Sequence, residues 1–172
     1  MVFFDKILDL ILTFWNKLIF YYIVDEYEGA VVLRLGKYNR TSMPGFYLKW
    51  PLIERVMKEN VVFETKHHYT QHITTRDGQS ISVRFLTSYR IDDVRAYLLT
   101  CEDAESVISD CVMRAGSELI NKNDYSYFCS EDFNVDILKR SKEQASKFGV
   151  DIHNIGVINK FKFDAMLLTK QD

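Results

Sequence analysis

The chain has 172 residues, 47% of them hydrophobic and 14% aromatic, with a formal net charge of −2. That length and apolar content support one domain with a real core or two small lobes. The near-neutral balance supplies no basic field for nucleic acid, and the two prolines, Pro44 and Pro51, leave no Pro-rich linker.

The first 24 residues, MVFFDKILDLILTFWNKLIFYYIV, are mostly apolar. Asp5, Lys6, Asp9, Thr13, Asn16 and Lys17 fall on one narrow stripe of a helix, and Leu10 and Ile19 belong to the apolar remainder. An in-plane amphipathic anchor explains this stripe directly. Phe3, Phe4, Ile7, Leu8, Ile11, Phe14, Trp15 and Leu18 are then the membrane contacts, with the charges facing water. Two other readings stay open. A spanning helix needs roughly 20 apolar residues, and Ile7 to Val24 approaches that length. It would place Lys17 deep in hydrocarbon, at a cost of roughly 2.5–3.5 kcal/mol against about 0.3–0.6 returned by each Leu, Ile or Phe. A helix packed on the domain would need another subunit to cover so wide an apolar arc. A signal peptide is disfavoured by Asp5 and Asp9 and by the lack of a small-residue cleavage site. The Met1-Val2 start lacks the glycine that N-myristoylation requires.

From Tyr22 the pattern turns to β. Val31, Leu33 and Leu35 alternate with Val32 and Arg34 before Gly36, a strand ending in a turn. Lys37 to Gly45 reads as a loop. The strand FYLKW follows, with Phe46, Leu48 and Trp50 on one face and Pro51 as its stop. Tyr21, Tyr22, Tyr27, Phe46, Tyr47 and Trp50 would form a membrane-proximal belt, of which core packing claims at least half. A hairpin joins His72–Arg76 to Gln79–Ile91 across the two-residue turn Asp77-Gly78. Its second arm buries Ile81, Val83, Phe85, Tyr89 and Ile91 and wets Ser82, Arg84, Ser88 and Arg90.

Helices come next. Thr100 with Asp103 resembles a capping box, and Ala104, Val107, Ile108, Cys111, Val112, Ala115 and Leu119 keep helical spacing. Ser130 caps a second helix, with Glu131 and Asp132 in its first turn, and Gly149 ends it. Ile155, Val157, Phe161 and Phe163 mark a closing strand, so the class is α+β.

Little here carries chemistry. His67, His68 and His72 form an HHxxxH cluster, but on an extended segment positions four apart lie about 13 Å from each other, so surface or interface histidines are expected and no metal site. The acids at 92–93 and 102–105 are helix-start residues facing a positive dipole end. Asn39-Arg40-Thr41 is a chance glycosylation sequon. Cys101, Cys111 and Cys129 are odd in number and include no CxxC pair, which favours a reducing compartment over a disulfide framework. No catalytic motif and no cofactor fingerprint is present.

Four segments in order carry a family resemblance: DEYEGAVVLRLG, MPGFYLKWPLIERV, ITTRDGQSISVRFLTSYRI and FGVDIHNIGVINKFKF. They resemble the SPFH or Band 7 family of stomatin, prohibitin, HflK and HflC, with Arg76 where that family usually has lysine. RAYLLTCEDAESVISDCVMRAGSELI looks more like the prohibitin and HflC branch than stomatin. The resemblance implies an α+β SPFH domain with an antiparallel-rich sheet and packed helices over residues 22–164, an N-terminal membrane helix over 1–21 and a short tail over 165–172. Gly29, Gly36, Pro44, Gly45, Pro51, Asp77 and Gly78 would be its structural turns. It implies a membrane-associated oligomeric scaffold and no enzyme. The partners would be membrane lipids, copies of itself or a longer SPFH protein, and a membrane protease or channel, with no nucleic acid. The domain would lie on the cytoplasmic face. The family's usual long C-terminal helix and coiled coil are missing from this sequence. An interaction inhibitor that joins longer SPFH partners, or a soluble binding domain, are the competing functions.

Overall fold

The computed structural model describes Lys6, Ile7 and Asp9 and then residues 20–163. Two compact units divide the chain between Val62 and Phe63. The stretch 22–164, expected as one domain, therefore contains both.

The first unit is all β among its described residues beyond Phe20. Strands β1 (Tyr21–Val24) and β4 (Gly45–Leu48) pair antiparallel. A three-stranded sheet has β2 (Glu28–Arg34) at its centre, flanked by β3 (Lys37–Ser42) and β5 (Glu54–Asn60). Ala30, Val31 and Val32 of β2 are fully buried, so this strand reads as an apolar run and not as an alternation. Tyr22, Val24, Ala30 and Val32 form the core, with Tyr47 and Val56 packed against it. The Tyr22 hydroxyl shares a buried 2.6 Å hydrogen bond with Ser42, which ties β1 to β3.

The region expected as a loop after Gly36 is therefore mostly strand. Lys37–Ser42 is polar throughout, as suits an edge strand with little to bury. It is joined to β2 by a two-residue connection, Leu35-Gly36, with Arg34 opposite Lys37. Both connecting residues have positive φ, 49° and 79°, the mark of a type I′ turn.

The second unit is built on the long strand β8 (Ser80–Ile91). Strand β9 (Val150–Phe163) pairs with it along one edge from Ile91 back to Ser80. Strands β6 (Glu64–His67) and β7 (Gln71–Thr74) share the other edge. The odd-numbered residues of β8 from Ile81 to Ile91 are all buried. Ser82, expected to be wet, is buried too.

The β7–β8 hairpin departs from the expected two-residue turn. The Gly78 N–H bonds to the Thr75 carbonyl and the Thr75 N–H to the Gln79 carbonyl. Gly78 has φ +79° and Asp77 does not have positive φ, so this is a three-residue loop with glycine at its left-handed position. Arg76 makes a forked contact to Asp124 at 3.0 and 2.8 Å.

Among the described residues four α-helices accompany this sheet: α1 (Val94–Thr100), α2 (Ala104–Lys122), α3 (Tyr125–Phe128) and α4 (Glu131–Ala145). Thr100 closes α1, and the cap of α2 is Asp103 alone, its carboxylate accepting from the Ser106 N–H. Ser130 stands at the N-cap of α4, but its hydroxyl donates back to the Tyr127 carbonyl. Phe85, Ile108, Val112, Phe128, Phe133 and Ile137 form the core. Gly116 admits the Phe85 ring to α2: a Cβ there would lie 2.5 Å from a ring carbon.

Candidate membrane interface

The first unit puts its largest apolar side chains on the outside, and the pairing of β1 with β4 dictates which. Tyr21 opposes Leu48 and Ile23 opposes Phe46, so these four share one face of the ribbon. Tyr22, Val24 and Tyr47 take the other face and pack inward. The outer four are exposed, Phe46 by 64%, and the Tyr21 and Phe46 rings stack at 5.5 Å.

At one end of the unit three chain segments converge. The Lys49 N–H bonds to the Phe20 carbonyl at 2.7 Å, continuing the ribbon. The chain then turns through Trp50, Pro51, Leu52 and Ile53 into β5. The Leu35 N–H bonds to the Ile53 carbonyl at 2.8 Å, which sets the Leu35-Gly36 turn beside that bend. Leu35 is 76% exposed, Trp50 63% and Leu52 86%. Single exposed apolar residues are normal on soluble proteins, but a contiguous group of this size marks an interaction surface.

Beneath these side chains lies a cleft of about 340 Å³. Phe20, Leu48 and Trp50 give it apolar walls, and Arg34, Arg40, Lys49 and Glu54 supply its charge. The Glu54 side chain is fully buried. Its carboxylate accepts from Nε and Nη2 of Arg34 at 3.1 and 2.8 Å, from Asn39 at 3.3 Å and from the Trp50 N–H at 3.1 Å. Arg40 reaches it at 3.4 Å and also donates to the Leu48 carbonyl at 2.9 Å. Burial alone would push the Glu54 carboxyl up, but the Trp50 N–H and the two guanidinium groups outweigh it and hold it below the usual carboxylate range. Lys49 has no ion-pair partner among the described residues. Three cations thus face one carboxylate, a surplus of two positive charges at an apolar rim.

Of the membrane contacts expected at Phe3, Phe4, Ile7, Leu8, Ile11, Phe14, Trp15 and Leu18, only Ile7 is described. It is helical and exposed; the other seven lie outside the described residues. Among the described residues no helix is long and apolar enough to cross a membrane. Gly36 lies in the type I′ turn, Pro44 and Gly45 lead into β4, Pro51 lies in the bend after Trp50, and Asp77 and Gly78 lie in the second hairpin. Gly29, expected at a turn, is inside β2 opposite Glu59.

The histidines separate. His72 is exposed on β7, whereas His68 is buried, its Nε2 within 2.8 Å of the Thr87 hydroxyl and its Nδ1 unpartnered among the described residues. No group of three or more His, Cys, Asp or Glu placed to hold a metal ion occurs among the described residues. The Arg34–Arg40–Glu54 cleft escaped sequence reasoning. Its one trace was a strand ending in arginine, followed across a turn by a second arginine and then by a glutamate just after Pro51.

Two units of this kind, one of β strands and the other an antiparallel sheet with helices, make an α+β chain. The SPFH domain / Band 7 family model matches residues 22–169, and the chain belongs to that family. It is similar to the HflK protein of Borreliella burgdorferi, 29% identical over 153 residues, which cover 79% of this chain and 49% of that protein. HflK of Buchnera aphidicola is 24% identical over 160 residues, covering 88% of this chain and 38% of its own. An uncharacterized protein of Methanocaldococcus jannaschii is 27% identical over 144 residues, 78% of this chain and 69% of its own. The chain thus spans half or less of the HflK proteins it matches.

Proposed function

We propose that this chain is a membrane-associated oligomeric scaffold of the SPFH type that organises the membrane or regulates membrane proteins and proteases, without chemistry of its own. The observation that carries the reading is the apolar end of the first unit. Leu35, Trp50 and Leu52 stand exposed there, beside Phe20, the residue where the described chain emerges from the N-terminal apolar stretch. An in-plane helix over residues 1–19 and this end would then contact one bilayer surface together. The family and the HflK relatives support assembly with copies of itself or with a longer SPFH protein.

Flotation with phosphatidylcholine vesicles tests the contact. The intact chain should float, and the double variant Phe46→Ser, Leu48→Ser should float less while melting at the same temperature. Chemical crosslinking of the vesicle-bound protein should give a ladder of oligomers. A chain that stays in the soluble fraction, or that remains strictly monomeric on crowded membranes, would remove the scaffold reading.

A further inference from the structure

We infer that the cleft bounded by Arg34, Arg40, Lys49, Phe20 and Trp50 takes the phosphate of an anionic phospholipid, whose acyl chains lie against the exposed ribbon face of Tyr21, Phe46 and Leu48. The inference rests on the membrane contact proposed above and goes further by naming the lipid class and the residues that select it.

Three features of the cleft point to this ligand. The first is its charge. Glu54 is a single buried carboxylate shared by two guanidinium groups, so it fixes both arginines without neutralising both. Lys49 adds a third cation that pairs with no described carboxylate. A phosphodiester answers such a surplus, and arginine is suited to its geometry.

The second feature is rigidity. Arg40 is held at two points, by Glu54 and by the Leu48 carbonyl, and Arg34 is held through its Nε and Nη2 edge. Cations fixed before the ligand arrives lose little side-chain freedom on binding. The third is the company they keep. A soluble anion has no use for the apolar walls of Phe20, Leu48 and Trp50, whereas a lipid headgroup carries its acyl chains onto such a surface.

The test uses the full chain and vesicles of phosphatidylcholine with and without phosphatidylglycerol, at one ionic strength. Affinity should be higher for the anionic vesicles. Each cation lost near an anionic surface should weaken binding about fivefold, so Lys49→Gln should lose about fivefold and Lys49→Glu about 25-fold on the anionic vesicles. Lys58→Gln removes a cation four positions along β5 from Glu54, roughly 13 Å from the cleft, and should change affinity by less than about twofold. Lys49 belongs to no ion pair described here, so these variants leave the Glu54 network intact.

Equal losses from Lys58→Gln and Lys49→Gln would mean diffuse attraction and overturn the cleft. Equal flotation of the unaltered chain with both vesicle types would also overturn it, while leaving the membrane contact standing. Failure to float with either would take down the contact itself. In a Trp15→Phe background, Trp50 emission reads the cleft directly. It should shift with dihexanoyl phosphatidylglycerol and stay unchanged with millimolar inorganic phosphate. An equal response to inorganic phosphate would make this a soluble-anion site and refute the lipid assignment.

Discussion

The two units use the same kinds of residue in opposite ways. In the second, Phe85, Phe128 and Phe133 are the largest fully buried side chains, and the Phe128 and Phe133 rings meet edge-on at 5.1 Å. In the first, Phe20, Phe46 and Trp50 are turned outward and the core rests on Tyr22, Val24, Ala30 and Val32. Folding alone explains the second arrangement, because burying an aromatic ring stabilises the folded state. It does not explain the first, where Tyr22 and Tyr47 already fill the inward positions of β1 and β4 and the outer face of the same strands still carries Tyr21 and Phe46 in water. The membrane contact proposed above would give those rings a second apolar environment.

The contrast can be broken most sharply by one substitution made in both units. Phe133→Ala empties a fully buried site and should destabilise by about 3–5 kcal/mol in chemical denaturation. Phe46→Ala removes an exposed ring and should change stability by less than about 0.5 kcal/mol, while flotation weakens. Equal costs at the two positions would mean that Phe46 is a core residue and that the exposed face is not a surface.

Next in size is the buried carboxylate. Glu54→Ala would leave two guanidinium groups and the Trp50 N–H without their acceptor. Both arginines are partly exposed, which softens the loss, so about 2 kcal/mol is expected where a fully buried pair would cost more. An unchanged denaturation midpoint would show that the cleft is not held from beneath.

The buried titratable groups extend the comparison to pH. In the first unit Glu54 is kept charged by its partners, with a pKa below its ordinary 4.5. Its contribution is complete above that value and lost as pH falls through the lower, folded pKa. In the second unit His68 is kept neutral. Burial, helped by Lys66 and His67, lowers its pKa from 6.5 to about 4. The unfolded chain therefore binds more protons than the folded one between those values, and stability falls as pH drops from 6.5 towards 4. About 2–3 kcal/mol should be lost across that window. Imidazole titration by NMR checks the His68 value, and a pKa near 6.5 would sink the prediction.

Much of the fold was legible in the sequence because apolar periodicity survives wherever one face is buried. The stripe of α2 and the alternation of β8 are of that kind. Strand β3 was not legible, since KYNRTS lies at a sheet edge and carries no apolar alternation. Of helix α1 only the start was legible, Asp93 being a helix-start acid that proves to be its N-cap; seven residues are too few to show an apolar period. At the candidate site, the period-two pattern puts Phe46 and Leu48 on one face, as the structure does, with Trp50 past the end of β4, but periodicity cannot say whether that face meets a core or a solvent. The cleft depends on Arg34, Arg40 and Glu54 meeting across strands, a contact that local patterns do not encode.

One expected change in stability has the opposite sign and bears on both stability and membrane contact. Leu35 holds φ +49° at the first position of a type I′ turn, where asparagine is favoured and leucine pays steric strain. Its side chain is almost wholly exposed and packs little to offset that strain. Leu35→Asn should therefore stabilise the first unit by about 1 kcal/mol, raising the denaturation midpoint. The same change removes an apolar side chain from the end proposed to meet the bilayer, where burying a leucine contributes about 1.5–3 kcal/mol. Vesicle affinity should accordingly fall by about tenfold or more. A gain in stability coupled to a loss of lipid binding is the signature of a residue retained for its surface role. If Leu35→Asn stabilises the protein and floats as well as the unaltered chain, the leucine has no part in membrane contact, and the apolar end must begin at Trp50 and Leu52.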